Sequence, residues 1–282
     1  MPVIIRTRGE NARPSAPRTP APEASTSGAV DRLTRAILRA PRLSPADIEV
    51  ARTRSDVLRP WLVDLLGRVG AGGGAGGQAP VHALALLAEL RATEALPLVA
   101  SLVGTPDSAL LRAIAPGSSD LLPWAFYRLG AGDPAEVASL VEDAELPPAA
   151  RASALLALRA LARREPEVRA RLLDLYDRML ARVGVPDAAG VPRRPGALLR
   201  AVVADGFVEL RSAVLAAIAR VGDDAGMTAA EVEAGLAPGA VPVALALMAD
   251  GFLESFYRAP PPGPSERRPL YRGTGPAASG AG

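Results

Sequence analysis

Apolar side chains recur three and four positions apart through most of this chain, and Gly or Pro interrupts the recurrence at short intervals. Only a helix puts residues so spaced on one face. In 56–69 (DVLRPWLVDLLGRV), Leu58, Trp61, Leu62, Leu65, Leu66 and Val69 make one stripe. From Val168 to Val183 the stripe is Val168, Leu172, Leu175, Tyr176, Met179 and Val183. Opposite it lie Arg169, Arg171, Asp174, Asp177, Arg178 and Arg182. Asp174 and Arg178 stand four apart, a pairing worth about 0.2–0.5 kcal/mol on a solvated helix face. Phe207, Leu210, Val214, Ile218 and Val221 repeat the signature. No stretch alternates convincingly as a strand would. The breaks fall at Pro106, Pro116-Gly117, Gly130 to Pro134, Pro147-Pro148, Gly184 to Pro186, Gly222 and Pro238-Gly239. Proline inside a helix start and glycine past its end are the usual punctuation. The expected chain is a series of helices joined by short turns.

Two repeats order that series. VASLV at Val99–Val103 returns at Val137–Val141, 38 positions on. Each copy follows another apolar run, VHALALLAEL (81–90) and LLPWAFYRL (121–129). The second repeat is ADGF, at Ala204–Phe207 and again at Ala249–Phe252, 45 positions on. Its glycine is expected to end or kink a helix while the Phe enters the core. A period near 40 residues with two helices per unit is the mark of HEAT-type repeats. Neither helix of such a unit can bury its stripe alone, so neighbouring pairs must stack. The expected fold is all-α: a HEAT-like α-solenoid of stacked antiparallel helix pairs over residues 29–258.

The order PVHALALLAELRATEALPLVASLV … AGDPAEVASLVEDAELPPAARASALLALRAL resembles an uncharacterised bacterial family of HEAT-like helical domains. The resemblance would cover most of 31–256. It implies a helical-repeat fold and carries over no functional residue. Some members of that family bear a cysteine-rich SEC-C metal-binding tail. This chain has no Cys, and no His after His82, so it cannot form that site.

Composition supports the helical reading. The chain is 49% hydrophobic but only 4% aromatic, so Leu, Ala and Val must fill the core, which suits closely packed helices. All 32 basic residues are Arg, with one Asn (Asn11), one Gln (Gln78) and no Cys. A GC-rich coding sequence explains that bias, so the arginines are not read as selected for phosphate. Without Cys there are no disulfides, thiolate metal sites or cysteine nucleophiles.

Net charge is +2, distributed unevenly. Residues 1–28 carry Arg6, Arg8, Arg13 and Arg18 against Glu10 and Glu23, and 259–282 carry Arg267, Arg268 and Arg272 against Glu266. The body, 29–258, is left with 25 Arg and 27 acidic residues. Both ends are rich in Pro, Ser, Gly and Ala, unable to bury enough surface to offset ordering entropy, and are expected to be disordered. The body shows no concentrated basic stripe of the kind duplex binding needs. No apolar run reaches the roughly 18 residues of a bilayer span, and no secretory signal is recognisable. A cytoplasmic, non-membrane protein is expected.

Motifs that could carry chemistry are few. GRVGAGGGAGGQAP formally holds G-x-G-x-x-G at Gly72, Gly74 and Gly77. A helix rather than a strand precedes it, so a flexible linker is expected. His82 is the only histidine. It excludes paired-His zinc sites within one chain, and is read as a helix-terminal or half-buried structural residue. Glu142, Asp143 and Glu145 cluster, as do Asp223 and Asp224, at helix ends where exposed acids are ordinary. No catalytic, cofactor or metal site is expected. The densest aromatic patch is LLPWAFYRLG. There Trp124, Tyr127 and Arg128 are the candidate partner-binding residues, because exposed aromatic and Arg clusters make binding hot spots. Trp124 is expected to pack inward, and Tyr127, rotated from its neighbours, to reach the surface. The function expected is a non-catalytic scaffold for a protein or peptide. Nucleic-acid binding with a DNA-glycosylase-like grip is the alternative, and an enzyme built on the acidic clusters a more distant one.

Overall fold

The computed structural model describes residues 24–70, 77–105, 107–114, 120–185, 195–237, 245 and 251–258. Among them every regular element is a helix. In order these are α1 (Ala24–Arg39), α2 (Pro45–Thr53), α3 (Ser55–Gly70), α4 (Ala79–Glu89), α5 (Leu96–Gly104), α6 (Ala109–Ile114) and α7 (Leu121–Leu129). Then come α8 (Pro134–Glu142), α9 (Pro148–Ala162), α10 (Pro166–Arg182), α11 (Pro195–Ala204), α12 (Arg211–Val221), α13 (Ala229–Gly235) and α14 (Phe252–Arg258). Short 3-10 turns at Thr93–Ala95, Val208–Leu210 and Gly222–Ala225 bridge some of them. No helix among the described residues is long and apolar enough to cross a membrane.

Local chemistry sets the helix starts. Proline opens α2, α8, α9 and α10, where its missing N–H costs nothing. Ser44 with Asp47, and Thr228 with Glu231, form reciprocal capping boxes at α2 and α13. Helix α1 begins inside the segment expected to be disordered through residue 28. Once Val30, Leu33 and Ile37 anchor a helix on the core, adding turns at its end is cheap compared with nucleating it. The rest of both basic ends, and the glycine run 71–76, lie outside the described residues.

Packing follows the apolar stripes. Helix α4 packs on α3 and α7, α7 on α9, α9 on α8 and α10, and α10 on α12. The two VASLV copies lie on α5 and α8 and bury the same positions. Val99, Leu102 and Val103 are buried as Val137, Leu140 and Val141 are, while Ser101 and Ser139 face solvent. Gly130, just before α8, allows that approach: a Cβ there would lie 2.1 Å from Val137 Cγ2 and 2.6 Å from the Phe126 carbonyl oxygen.

A shared corner also joins α4 to α5 and α11 to α12. At the first, Arg91 takes φ 50° and the Ala92 amide donates to the Leu87 carbonyl at 3.0 Å. At the second, Gly206 takes φ 70° and the Phe207 amide donates to the Val202 carbonyl at 3.5 Å. Each is a Schellman-type ending followed by a 3-10 turn. In ADGF the glycine thus ends α11 and Phe207 enters the core, as the sequence implied. In the second ADGF, Gly251 again has positive φ, 73°.

Several polar contacts between helices span 36–40 residues, while others span 29, 46, 175 and 202. Arg52 reaches Glu89 across 37 residues, Arg128 the Ala88 carbonyl across 40, and Arg169 Glu209 across 40. Arg178 reaches Glu142 across 36, and Arg220 the Leu180 carbonyl across 40. Arginine thus ties several helices to one about 40 residues away, and Arg52 also reaches Glu254 of α14 across 202.

Candidate functional site

The expected patch on α7 proves to be interior. Trp124 is buried and stacks on Phe252 of α14, ring centroids 4.7 Å apart and planes 18° from parallel. Arg128 lies 5.8 Å above the Trp124 ring and donates to the carbonyls of Ala88 and Glu89 at 3.3 and 3.1 Å, capping the end of α4. Tyr127 does not reach the surface: it is only 5% exposed, with the Arg164 guanidinium 5.6 Å over its ring. Rotating a side chain by one helical step exposes it only when one face is free. Helix α7 has α4 on one side, α9 on the other and Phe252 against Trp124, so nearly every position is buried.

His82 is fully rather than half buried, in the first turn of α4. Nε2 lies 3.0 Å from the Ala40 carbonyl and Nδ1 2.7 Å from the Tyr257 hydroxyl. A carbonyl can only accept, so Nε2 carries the proton and Tyr257 donates to Nδ1. Burial pulls the imidazole below its ordinary pKa, against the Ala40 carbonyl and the charge of Asp47. The acidic clusters stay apart from any cation-binding geometry. Glu142 pairs with Arg178 at 3.1 Å, Asp143 accepts the Glu145 amide at 2.9 Å, and Asp223 and Asp224 occupy a 3-10 turn. Among the described residues no group of three or more metal-ligating side chains converges.

The functional geometry that does emerge lies between α9, α10 and the corner joining α11 to α12. An open cleft of about 380 Å³ is lined by Arg159, Ala162, Arg163, Arg169, Leu172, Asp205 and Phe207. Its centre is the Asp of ADGF, 5% exposed. Asp205 Oδ2 accepts Arg159 Nε at 2.6 Å and the Tyr176 hydroxyl at 2.9 Å. Its Oδ1 accepts Arg159 Nη2 at 2.9 Å and Arg163 Nη2 at 3.0 Å. Arg159 thus grips the carboxylate as a two-pronged fork, the strong geometry for this pair. Burial works against the Arg159 charge, but the hydrogen bonds to Asp205 and its field outweigh that and hold the guanidinium above its ordinary pKa. Burial, helped by Asp205, pushes the Tyr176 phenol well up.

Phe207 forms the neighbouring wall. Its ring meets Tyr176 edge-on at 5.6 Å and carries the Arg169 guanidinium 4.5 Å above it. Arg169 bridges to Glu209 at 3.1 and 3.4 Å. The cleft therefore sets guanidinium groups over a largely buried apolar and aromatic floor, around one carboxylate already engaged. A guanidinium that stays protonated is no proton shuttle. Sequence reading found ADGF as a repeat but missed Asp205 as the hub. The available signal was that arginines lie 42 and 46 residues before it, close to the period of the repeats.

Fold and site together define an all-helical protein with an arginine-lined cleft between adjoining helices. No family model, curated protein or solved structure matches the chain.

Proposed function

We propose that residues 29–258 form a HEAT-like α-solenoid that serves as a non-catalytic scaffold for a protein or peptide in the cytoplasm. Support for the repeat architecture comes from inter-helix polar contacts spanning 36–40 residues, the matched burial of both VASLV copies, and the two alike corners. In a solenoid, lateral contacts between neighbouring units recur at one period; α14 lies outside that order, packing back on α7 and α4 through Phe252 and Tyr257. The observation that carries the binding reading is the open cleft between α9, α10 and α11–α12. Its ionisable groups are three arginines and one carboxylate held by four hydrogen bonds, a recognition surface rather than an acid–base pair. The candidate binding residues move accordingly. Arg128 ties α7 to α4, Trp124 meets α14 and Tyr127 meets Arg164, while Arg163 and Arg169 line the cleft with Phe207 beneath them.

Selection of displayed random peptides on the full chain tests the proposal. Enrichment of related sequences that bind the purified chain supports it. Failure to enrich any, with salt-sensitive binding of duplex DNA instead, would replace it with the nucleic-acid reading.

A further inference from the structure

We infer that the cleft is a carboxylate site, taking an Asp or Glu side chain that stands next to an apolar residue in a bound peptide. This rests on the peptide-scaffold reading above. Charge decides the ligand class. Arg159, Arg163 and Arg169 bring three positive charges, and Asp205 and Glu209 return two negative ones. One positive charge is left unbalanced. A carboxylate neutralises it. A phosphate monoester, at about −1.5 to −2 near neutral pH, would overshoot and be pressed against Asp205, which is fixed in the wall.

Donors are on hand for that carboxylate. Arg163 donates to Asp205 through Nη2, and its Nε is buried without a hydrogen-bond partner among the described residues. Arg169 holds Glu209 at 3.1 and 3.4 Å, with side chains 42% and 47% exposed. A guanidinium carries five N–H donors, so with Glu209 in place Arg169 keeps further donors for an incoming carboxylate. The Arg169 guanidinium already lies over Phe207, which holds its donors in place. The rest of the lining, Ala162, Leu172 and Phe207, is apolar. It suits a methylene chain or ring beside the charge. At about 380 Å³ the cleft is at the small end of ligand sites, roughly 300–1,000 Å³, so it fits a short stretch of side chains rather than a folded surface.

Peptides enriched on the full chain are resynthesised with capped ends and titrated calorimetrically. Three versions carry Glu, Gln or phosphoserine at the acidic position, and phenylacetate stands for a free small carboxylate. The Glu peptide is expected to bind at least tenfold tighter than the Gln and phosphoserine versions and than phenylacetate, the smaller end of what charged hydrogen bonds contribute. Arg169→Gln, at a side chain 42% exposed, should erase the Glu-over-Gln preference with little change in melting temperature, whereas Arg163→Gln should erase it at a cost in melting temperature, because Asp205 loses a partner. Equal binding of Glu and Gln peptides, tighter binding of phosphoserine or phenylacetate, or a preference that survives both substitutions would overturn the inference. Enriched peptides without an acidic position would defeat it and leave the scaffold reading standing. No enrichment at all would defeat both.

Discussion

Replacing Asp205 by Asn keeps the shape of the side chain and removes the charge that two arginines share. Arg159 is 10% exposed, Asp205 5% and Arg163 20%, so water can relieve little of the imbalance. Breaking a buried pair from one side costs about 3–5 kcal/mol, because the partner is left charged and unpaired. Here two arginines and the Tyr176 hydroxyl lose their acceptor or meet an amide in its place. A loss near 3 kcal/mol is expected, since Asn can still accept one bond. For a chain of this size that lowers the melting midpoint by roughly 6–12 °C. Urea unfolding followed by far-ultraviolet circular dichroism reads the loss as a lower midpoint at constant slope. Asp205→Leu alone should cost more than Arg159→Met with Asp205→Leu together, because the double change also removes the more buried of the two stranded charges. If Asp205→Asn stays within about 0.5 kcal/mol of the parent, the buried pairing that organises the cleft is not what the geometry implies.

Gly130→Ala should destabilise by about 1–3 kcal/mol in the same unfolding assay, because the new methyl meets the Phe126 carbonyl and Val137; Gly67→Ala, with nothing within 4 Å, should be neutral or stabilising. Leu102→Ala and Leu140→Ala, both 7% exposed in the two VASLV copies, should each cost about 2–5 kcal/mol and to a similar degree. The only histidine gives a clean pH test. His82 has a folded pKa below its ordinary value near about 6.5. Its contribution is therefore complete above that pH and is lost as pH falls through it, when the unfolded chain takes up a proton that the folded chain refuses. His82→Phe should flatten the stability curve between about pH 7 and 5, and an unchanged slope would show that the Ala40 carbonyl and Asp47 offset the burial, so that folded and unfolded rings take up protons alike. Tyr257→Phe should cost about 1–3 kcal/mol by leaving Nδ1 without its donor.

Helix content was legible because the stripes through Leu58–Val69 and Val168–Val183 need only local spacing, and those positions are buried or half-buried as read. The glycine of ADGF was legible too, since a chain-reversing φ leaves few residue choices. The site was less so. Asp205 finds its arginines across 42 and 46 residues, and one sequence gives no register for such a meeting. Tyr127 was misjudged for a related reason. A helix flanked on both sides by others shows no polar face to mark its neighbours, and LLPWAFYRL reads much the same whether one face or all are covered. Nothing in the sequence foretold that Phe252, far along the chain, would cover Trp124.

The proposed HEAT-like stack requires segments about 40 residues apart to lie side by side in order. The chain has no cysteine, so pairs can be introduced one at a time and joined by a short bismaleimide. Arg169→Cys with Glu209→Cys, and Glu142→Cys with Arg178→Cys, should cross-link rapidly within one molecule, because each replaces a contacting ion pair. Glu142→Cys with Glu209→Cys should not, since their partners sit nine residues apart on α10, roughly 13 Å along its axis. Efficient linkage of 142 to 209, or failure of both contacting pairs in the folded chain, would contradict the ordered stack.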